Sequence, residues 1–446
     1  MSITVTPSRQ KLLYNWFLPG SIGERLKLSA IPFAAKQDTA LACIDDSDLV
    51  DIINSRFDIN PLSRISAVFG QPDFLPFSFL ELGVKRGAAV CRLVREFSEE
   101  SRGKIVQALE ALENQLQTSE NSILTKEDIE EIFSFSERES DFIKDFFLET
   151  DKKPLDALKD PERFKKLLPI PIATGFLVGS SYLLTNNHVL PDRELCHEVI
   201  AQFGYDQDGL GRKITPIEYK LDINYETGFF ETNEALDYTI VKLQDRPKDR
   251  NLFTLGRAGD RFGWITLDEN NKNIAPPVDT ARIKHLQDSN FPLKIPEGKS
   301  MQGEPVNIIQ HPKGKRKQVI LSSNRVIEIY KEFIHYQADA DFSSSGSPVF
   351  NQQWQLVALH HAAVANIKDD STIEIVAEQG VRICAIIKDL KLKQKQYQAE
   401  YTKDNLMKQG SDPRAEKIQT FIDIFIDTEE KEAENKATNQ AAPPAY

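Results

Sequence analysis

From Pro171 to about residue 390 the chain is a succession of short apolar runs too brief for helices. They are Gly175-Phe-Leu-Val-Gly, Tyr182-Leu-Leu-Thr, Asp237-Tyr-Thr-Ile-Val-Lys-Leu, Val306-Asn-Ile-Ile, Gln318-Val-Ile-Leu, Pro348-Val-Phe and Leu356-Val-Ala-Leu. Each is rich in β-branched and aromatic residues, and turns carrying Gly, Pro, Asp or Asn separate them. Such side chains pack well on a pleated surface, and turns at this spacing reverse the chain after each run. The pattern predicts an all-β barrel or sandwich.

The flanks have a different texture. Residues 1–70 mix apolar patches with turn signals such as Pro19-Gly20 and Asn60-Pro61, and no period persists long enough to name a fold. Leu75 to Val94 reads as a short helix running into a strand, with Gly83 and Gly87 inside it. From about Ser98 to Leu168, Ile105, Ala108, Leu109, Leu112 and Leu116 recur at helical steps. Thr125 with Asp128, and Ser136 with Glu139, resemble capping boxes, in which hydroxyl and carboxylate each cover a free helix-start amide. Phe142, Ile143, Phe146 and Phe147 read as bundle core rather than a cofactor site. Residues 391–426 return to charged helix, with Ile418, Phe421, Ile422 and Phe425 as the apolar stripe. Residues 427–446 carry too little apolar surface to offset chain entropy and are expected to be disordered.

Composition narrows the function classes. With 55 Lys and Arg against 67 Asp and Glu, the net charge of -12 argues against a protein that coats nucleic acid. No apolar run approaches the length of a membrane span, so no membrane partner is expected. The opening residues lack the basic start and apolar stretch of a secretory signal. Cys43, Cys91, Cys196 and Cys384 are scattered and form no CxxC pair, which suits a reducing, cytoplasmic location. Metal is not expected either: Cys196-His197 and His360-His361 are adjacent pairs, and neighbours on a strand point to opposite faces. Asp206-Gln-Asp208-Gly209 is too short for a calcium loop and reads as a hairpin turn.

Three short sequences in the β region carry chemistry. His188 ends Leu-Leu-Thr-Asn-Asn-His directly after a strand, Asp237 opens a strand, and Ser345 stands before a glycine in Ser343-Ser-Ser-Gly-Ser-Pro. They occur in the order His, Asp, Ser, 49 and then 108 residues apart. A serine hydroxyl is a poor nucleophile at neutral pH and needs an imidazole to take its proton. The imidazole in turn needs a carboxylate to fix its tautomer and stabilise the imidazolium. A small-residue turn at the nucleophile lets backbone amides converge on a developing oxyanion. Each motif alone has an ordinary reading: a core histidine, a turn cap, a flexible Ser-rich loop.

Taken together and in order, they resemble the catalytic blocks of trypsin-like serine peptidases, in particular the disulfide-free bacterial branch that includes glutamyl endopeptidases. Thr185-Asn-Asn-His188 is similar to the histidine block, Asp237-Tyr-Thr-Ile-Val-Lys-Leu to the aspartate block, and Ser344-Ser345-Gly346-Ser347-Pro348 to the nucleophile block. Glu378-Gln-Gly-Val-Arg-Ile resembles a late strand of the bacterial members. The resemblance covers roughly residues 170–390, with Leu75–Val94 supplying the opening strand.

It implies a mainly β fold of two six-stranded antiparallel barrels, with an N-terminal module, a helical insertion and a C-terminal helix. The implied layout is 1–70 as a regulatory or partner-docking module, 71–97 as the start of the peptidase, 98–168 as the insertion, 169–390 as the peptidase domain, 391–426 as a C-terminal helix and 427–446 as an acidic tail. It implies an intracellular serine endopeptidase acting on protein substrates without a cofactor: His188 as general base and acid, Asp237 as orienting carboxylate, Ser345 as nucleophile, and the amides of Ser343 and Ser345 as oxyanion donors. Bacterial members with extra helical modules resemble parts of signalling or antiviral defence systems.

Ser343 stands where the family usually has glycine, which opens an alternative: a catalytically impaired pseudopeptidase serving as a binding scaffold. An esterase is disfavoured by the lack of a Gly-x-Ser-x-Gly elbow. Two features bear on specificity. Asp339, six residues before Ser345, matches the acidic pocket base that selects Arg or Lys. His360 aligns with the histidine by which glutamyl endopeptidases bind an acidic side chain, but Ala340 stands where their matching threonine would be. The balance favours a basic preference.

Overall fold

The computed structural model describes residues 3–4, 45–56, 75–96, 169–293, 300–338, 344–367, 372–404 and 411–427. The helical reading of 98–168, the tail beyond 427, and most of 1–70 lie outside the described residues.

Two curled antiparallel sheets make the fold, as the resemblance implies. The first contains β1 (Val90–Arg95), β2 (Ile170–Leu177), β3 (Tyr182–Thr185), β4 (Val199–Phe203), β5 (Ile217–Lys220), β6 (Phe230–Asn233) and β7 (Tyr238–Lys242), in the order β5-β4-β1-β2-β3-β7-β6. The second contains β8 (Asn307–Gln310), β9 (Gln318–Ile320), β10 (Val326–Ile329), β11 (Phe333–Tyr336), β12 (Pro348–Phe350), β13 (Leu356–Ile367) and β14 (Thr372–Arg382), in the order β9-β8-β12-β13-β14-β11-β10. Ile3–Thr4 adds a short pairing at the far end of β14. Each path holds seven strands where six were expected, and the three-residue outer strand β9 is the Gln318-Val-Ile-Leu run read from the sequence. Arg95 of β1 is the register partner of Ile170 of β2, so the strands on either side of residues 97–168 pair with each other.

Among the described residues, five longer helices accompany the sheets: α1 (Asp46–Arg56), α2 (Ser78–Ala88), α3 (Thr280–Asp288), α4 (Ile383–Asp404) and α5 (Pro413–Phe425). α1 escaped the sequence reading although its signals are local. The Asp45 side chain accepts from the Asp48 amide at 2.8 Å as an N-cap, and Leu49, Ile52 and Ile53 fall on one face. That face packs on Ile283 and Leu286 of α3, in the connection between the two sheets, and Asn54 donates to the Pro292 carbonyl at 2.7 Å. α2 tolerates Gly83 for a packing reason: a Cβ there would lie 2.5 Å from the Trp354 ring.

α4 and α5 return the chain to the first sheet. Ile383, Ile386, Ile387 and Leu390 form a helical stripe in the core that β1–β7 share with Phe350, Leu359 and Val381 of the second sheet. Asp412 caps α5 by accepting from the amides of Arg414 and Ala415, and Pro413 sits at the first helical position, where its missing N–H costs nothing. The expected stripe Ile418, Phe421, Ile422 and Phe425 is buried, with Phe421 5.1 Å from the Tyr182 ring and 5.5 Å from Phe229. The charged stretch is thus two helices rather than one, and Ile426–Asp427 continues as a strand parallel to Leu267–Asp268. The second sheet keeps its own core of Val306, Ile308, Ile334, Tyr336, Val349 and Ala358.

A buried polar bridge ties the sheets at one edge. Arg92 of β1 donates Nε and Nη2 to Gln202 Oε1 and Nη1 to the Gly314 carbonyl at 2.8 Å, in the turn after β8. The thiols of Cys91, Cys196 and Cys384 are unbridged, and burial pushes all three up, with Cys196 at about 12. Among the described residues, no helix is long and apolar enough to cross a membrane. The Asp206–Gly209 turn is held by Asp208, whose side chain accepts from the amides of Leu210 and Arg212.

Candidate active site

β3 delivers His188 and β7 is anchored beside it, because Thr185 and Thr239 are register partners. The Asn186-Asn187-His188 turn owes its shape to side-chain caps. Asn186 Nδ2 donates to the Asp237 carbonyl at 2.9 Å, and Asn187 Nδ2 donates to Thr232 Oγ1 at 2.8 Å. Asp237 lies just ahead of β7 in the left-handed region (φ 47°), a conformation that Asp tolerates better than most residues. Its carboxylate is 2% exposed, so its oxygens depend on protein donors. Oδ1 accepts the His188 backbone N–H at 2.8 Å, and Oδ2 lies 2.7 Å from His188 Nδ1.

A second imidazole shares that oxygen: His361 Nδ1 lies 2.5 Å from Asp237 Oδ2. Sequence reasoning weighed His361 only as half of an adjacent pair. The strand alternation it invoked does separate the two rings, aided by a register shift between His360 and Ala362, and sends His361 to the aspartate. Burial pushes the Asp237 carboxyl up, but the His188 and His361 imidazoles and their hydrogen bonds more than reverse this. The group is held well below the usual carboxylate range.

Ser345 sits in the turn before β12, 3% exposed. The turn is strapped on both sides. The Thr174 amide of β2 donates to the Ser345 carbonyl at 2.9 Å, the Gly346 amide donates to the His360 carbonyl at 3.0 Å, and the His360 amide donates to the Ser347 carbonyl at 2.9 Å. Gly346 has φ 83°, and a Cβ there would lie 2.0 Å from the Thr174 carbonyl oxygen and 2.4 Å from Thr185 Oγ1. Only glycine fits this approach. The Ser345 turn therefore packs against the strand that, three residues later, presents His188.

Of the pocket candidates, Asp339 and Ala340 lie outside the described residues, as does Ser343. His360 is buried, its Nδ1 2.7 Å from Tyr336 Oη and its Nε2 3.8 Å from Glu378 Oε2. Glu378 is buried too, and sequence reasoning used it only as part of a strand motif.

Among the described residues, His188, Asp237 and His361 are also placed to hold a metal, with donor atoms all within 4.8 Å of one another. Zinc bonds of about 2.0–2.1 Å in a tetrahedral set keep ligand atoms about 3.3 Å apart. The N···O separations of 2.5 and 2.7 Å are shorter and fit two donors forking onto one acceptor.

A family model described as "Trypsin-like peptidase domain" matches residues 173–359. A stretch of 249 residues is 29% identical to "Uncharacterized protein y4fB" of Sinorhizobium fredii, covering 49% of this chain and 32% of that protein. The chain thus spans about a third of the length of this relative.

Proposed function

From a trypsin-like peptidase domain as premise, we propose that the chain is a serine endopeptidase that hydrolyses protein substrates through Ser345, His188 and Asp237. The observation that carries this reading is the grip of Asp237 on His188, through the backbone N–H at 2.8 Å and Nδ1 at 2.7 Å. With Nδ1 committed as donor to the carboxylate, the imidazole keeps its lone pair on Nε2, the tautomer a general base requires. In the proposed reaction Ser345 Oγ attacks the substrate carbonyl as its proton passes to Nε2. The resulting imidazolium is stabilised by Asp237 and returns the proton to the leaving amine, and water then resolves the acyl-enzyme by the same route. The amides of Ser343 and Ser345 are the proposed oxyanion donors.

The test is labelling with a fluorophosphonate probe. Wild type should react at Ser345, and Ser345→Ala should not. A wild-type protein that stays unlabelled, alone and with cell lysate added, would favour the binding scaffold that Ser343 suggests.

The proposed substrates carry Arg or Lys at the cleavage site. An acidic side chain brought to His360 would meet the buried Glu378 carboxylate beside it, whereas a basic one would be attracted. Profiling against a peptide library should show Arg or Lys favoured over Glu by at least about tenfold, a 1.4 kcal/mol difference. A preference for Glu would overturn this assignment. Residues 1–70 and 98–168 are proposed to dock a regulatory protein. Deleting either without changing activity or binding would end that idea. A reducing, cytoplasmic setting is proposed from the unbridged thiols.

A further inference from the structure

We infer that His361 is a positioning residue of the active site, a second imidazole that holds Asp237 in the orientation His188 needs. This rests on the peptidase reading of His188 and Asp237. Asp237 Oδ2 receives both Nδ1 atoms, His188 at 2.7 Å and His361 at 2.5 Å, while Oδ1 takes the His188 backbone amide. A carboxylate 2% exposed has no solvent to complete its hydrogen bonding, so removing the His361 donor leaves a buried lone pair unsatisfied and only the His188 bonds to fix the group's final torsion.

The two imidazoles act from different elements. His188 follows β3 of the first sheet, and His361 is on β13 of the second. The strand that bears His361 also straps the nucleophile turn, through the Gly346 amide on the His360 carbonyl. A single strand therefore fixes the Ser345 turn and the carboxylate that orients His188. The rings stand 6.4 Å apart at 61°, so each reaches the oxygen from its own side rather than stacking. His361 is 18% exposed, and the Phe333 ring lies 6.2 Å from it. It touches no reacting atom; its effect passes through Asp237.

Asparagine separates a positioning role from a packing role, because its Nδ2 can replace the Nδ1 donor without a ring. His361→Ala should lower kcat by about 10- to 100-fold with KM changed less than about twofold, and His361→Asn should restore most of the loss. Equal rates for the two variants, or a His361→Ala enzyme as fast as wild type, would overturn the assignment.

A second measurement decides the matter whether or not the protein cleaves anything. In the Ser345→Ala protein, proton NMR should show two low-field imidazole N–H signals, and adding His361→Ala should remove one and shift the other. A single signal in Ser345→Ala refutes the fork. Titrating the same protein with zinc chloride covers the competing chemistry: micromolar binding abolished by His361→Ala would make the cluster a metal site and sink the positioning role.

Discussion

Thr174 shows how much of the site is built from groups no motif search detects. Its amide holds the Ser345 carbonyl, its carbonyl accepts from Thr185 Oγ1, and its hydroxyl accepts from the His311 amide. One residue on β2 thereby aligns the Ser345 turn, the strand that leads to His188 and the start of the turn after β8. The proposed catalytic trio was legible in sequence because the chemistry it would perform demands particular side chains: His188, Asp237 and Ser345 each came with a recognisable neighbourhood. Thr174 was not, since two of these three bonds use backbone atoms that every residue carries. His361 was hidden for a different reason: its role depends on a partner 124 positions away. Gly346 is a residue at which this scaffold is sensitive to change. Alanine there would meet the Thr174 carbonyl and also adopt φ 83°, which costs a non-glycine residue about 1–2 kcal/mol before any clash. Gly346→Ala is expected to lower stability by at least that amount and to suppress fluorophosphonate labelling, because the strap must shift. Thermal melting and labelling rate check the two effects separately, and labelling at the wild-type rate would show that the turn is not held as described.

At the scale of elements, the C-terminal helices carry the clearest energetic argument. α5 puts Phe421 into a cluster with Tyr182, Phe229 and Phe425, at ring separations of 5.1 to 5.6 Å. Tyr182 begins β3, the strand that ends at Thr185 and delivers His188, so the helix braces the histidine side of the site from outside. The stripe was readable because its 3–4 spacing is intrinsic to a helix. That it would be split from α4, and which sheet would receive it, depended on contacts far along the chain. α1 shows the converse, a segment whose cap and apolar face were present locally but isolated among turn signals. Phe421 is fully buried, so Phe421→Ala removes a ring and leaves a void at the helix–sheet contact. The expected cost is about 3–5 kcal/mol, measurable by urea unfolding. A loss under 1 kcal/mol would mean that α5 adds little to the first sheet.

Across the whole molecule, the two sheets meet at a seam that is polar as well as apolar, and this makes stability depend on pH. His311 lies in that seam, fully buried, with its Nδ1 donating to the Lys315 carbonyl at 3.0 Å. Burial first, and then the nearby Lys317 and Arg92 charges against the pull of that hydrogen bond, lower it to about 3. Burial lowers His335 on β11 to about 4. An unfolded histidine takes up a proton near 6.5, whereas these two stay neutral in the fold to far lower pH. The unfolded state therefore binds more protons than the folded state as pH falls below about 6.5, and each proton bound only there costs up to about 1.4 kcal/mol per pH unit. The stability these histidines contribute is complete above about pH 6.5 and lost progressively toward about pH 4 for His335 and about pH 3 for His311. The low carboxyl of Asp237 acts in the same sense only at more acid values, where the unfolded carboxylate titrates. Melting temperature should accordingly fall between pH 7 and pH 4.5, and His311→Gln, which cannot take up a proton in either state, should flatten that fall even if it lowers the melting temperature at pH 7. The slope, not the absolute temperature, is the quantity to compare. An identical slope in the variant would mean that His311 is not kept neutral in the seam, and that the Arg92–Gly314 edge opens to water more than its buried geometry implies.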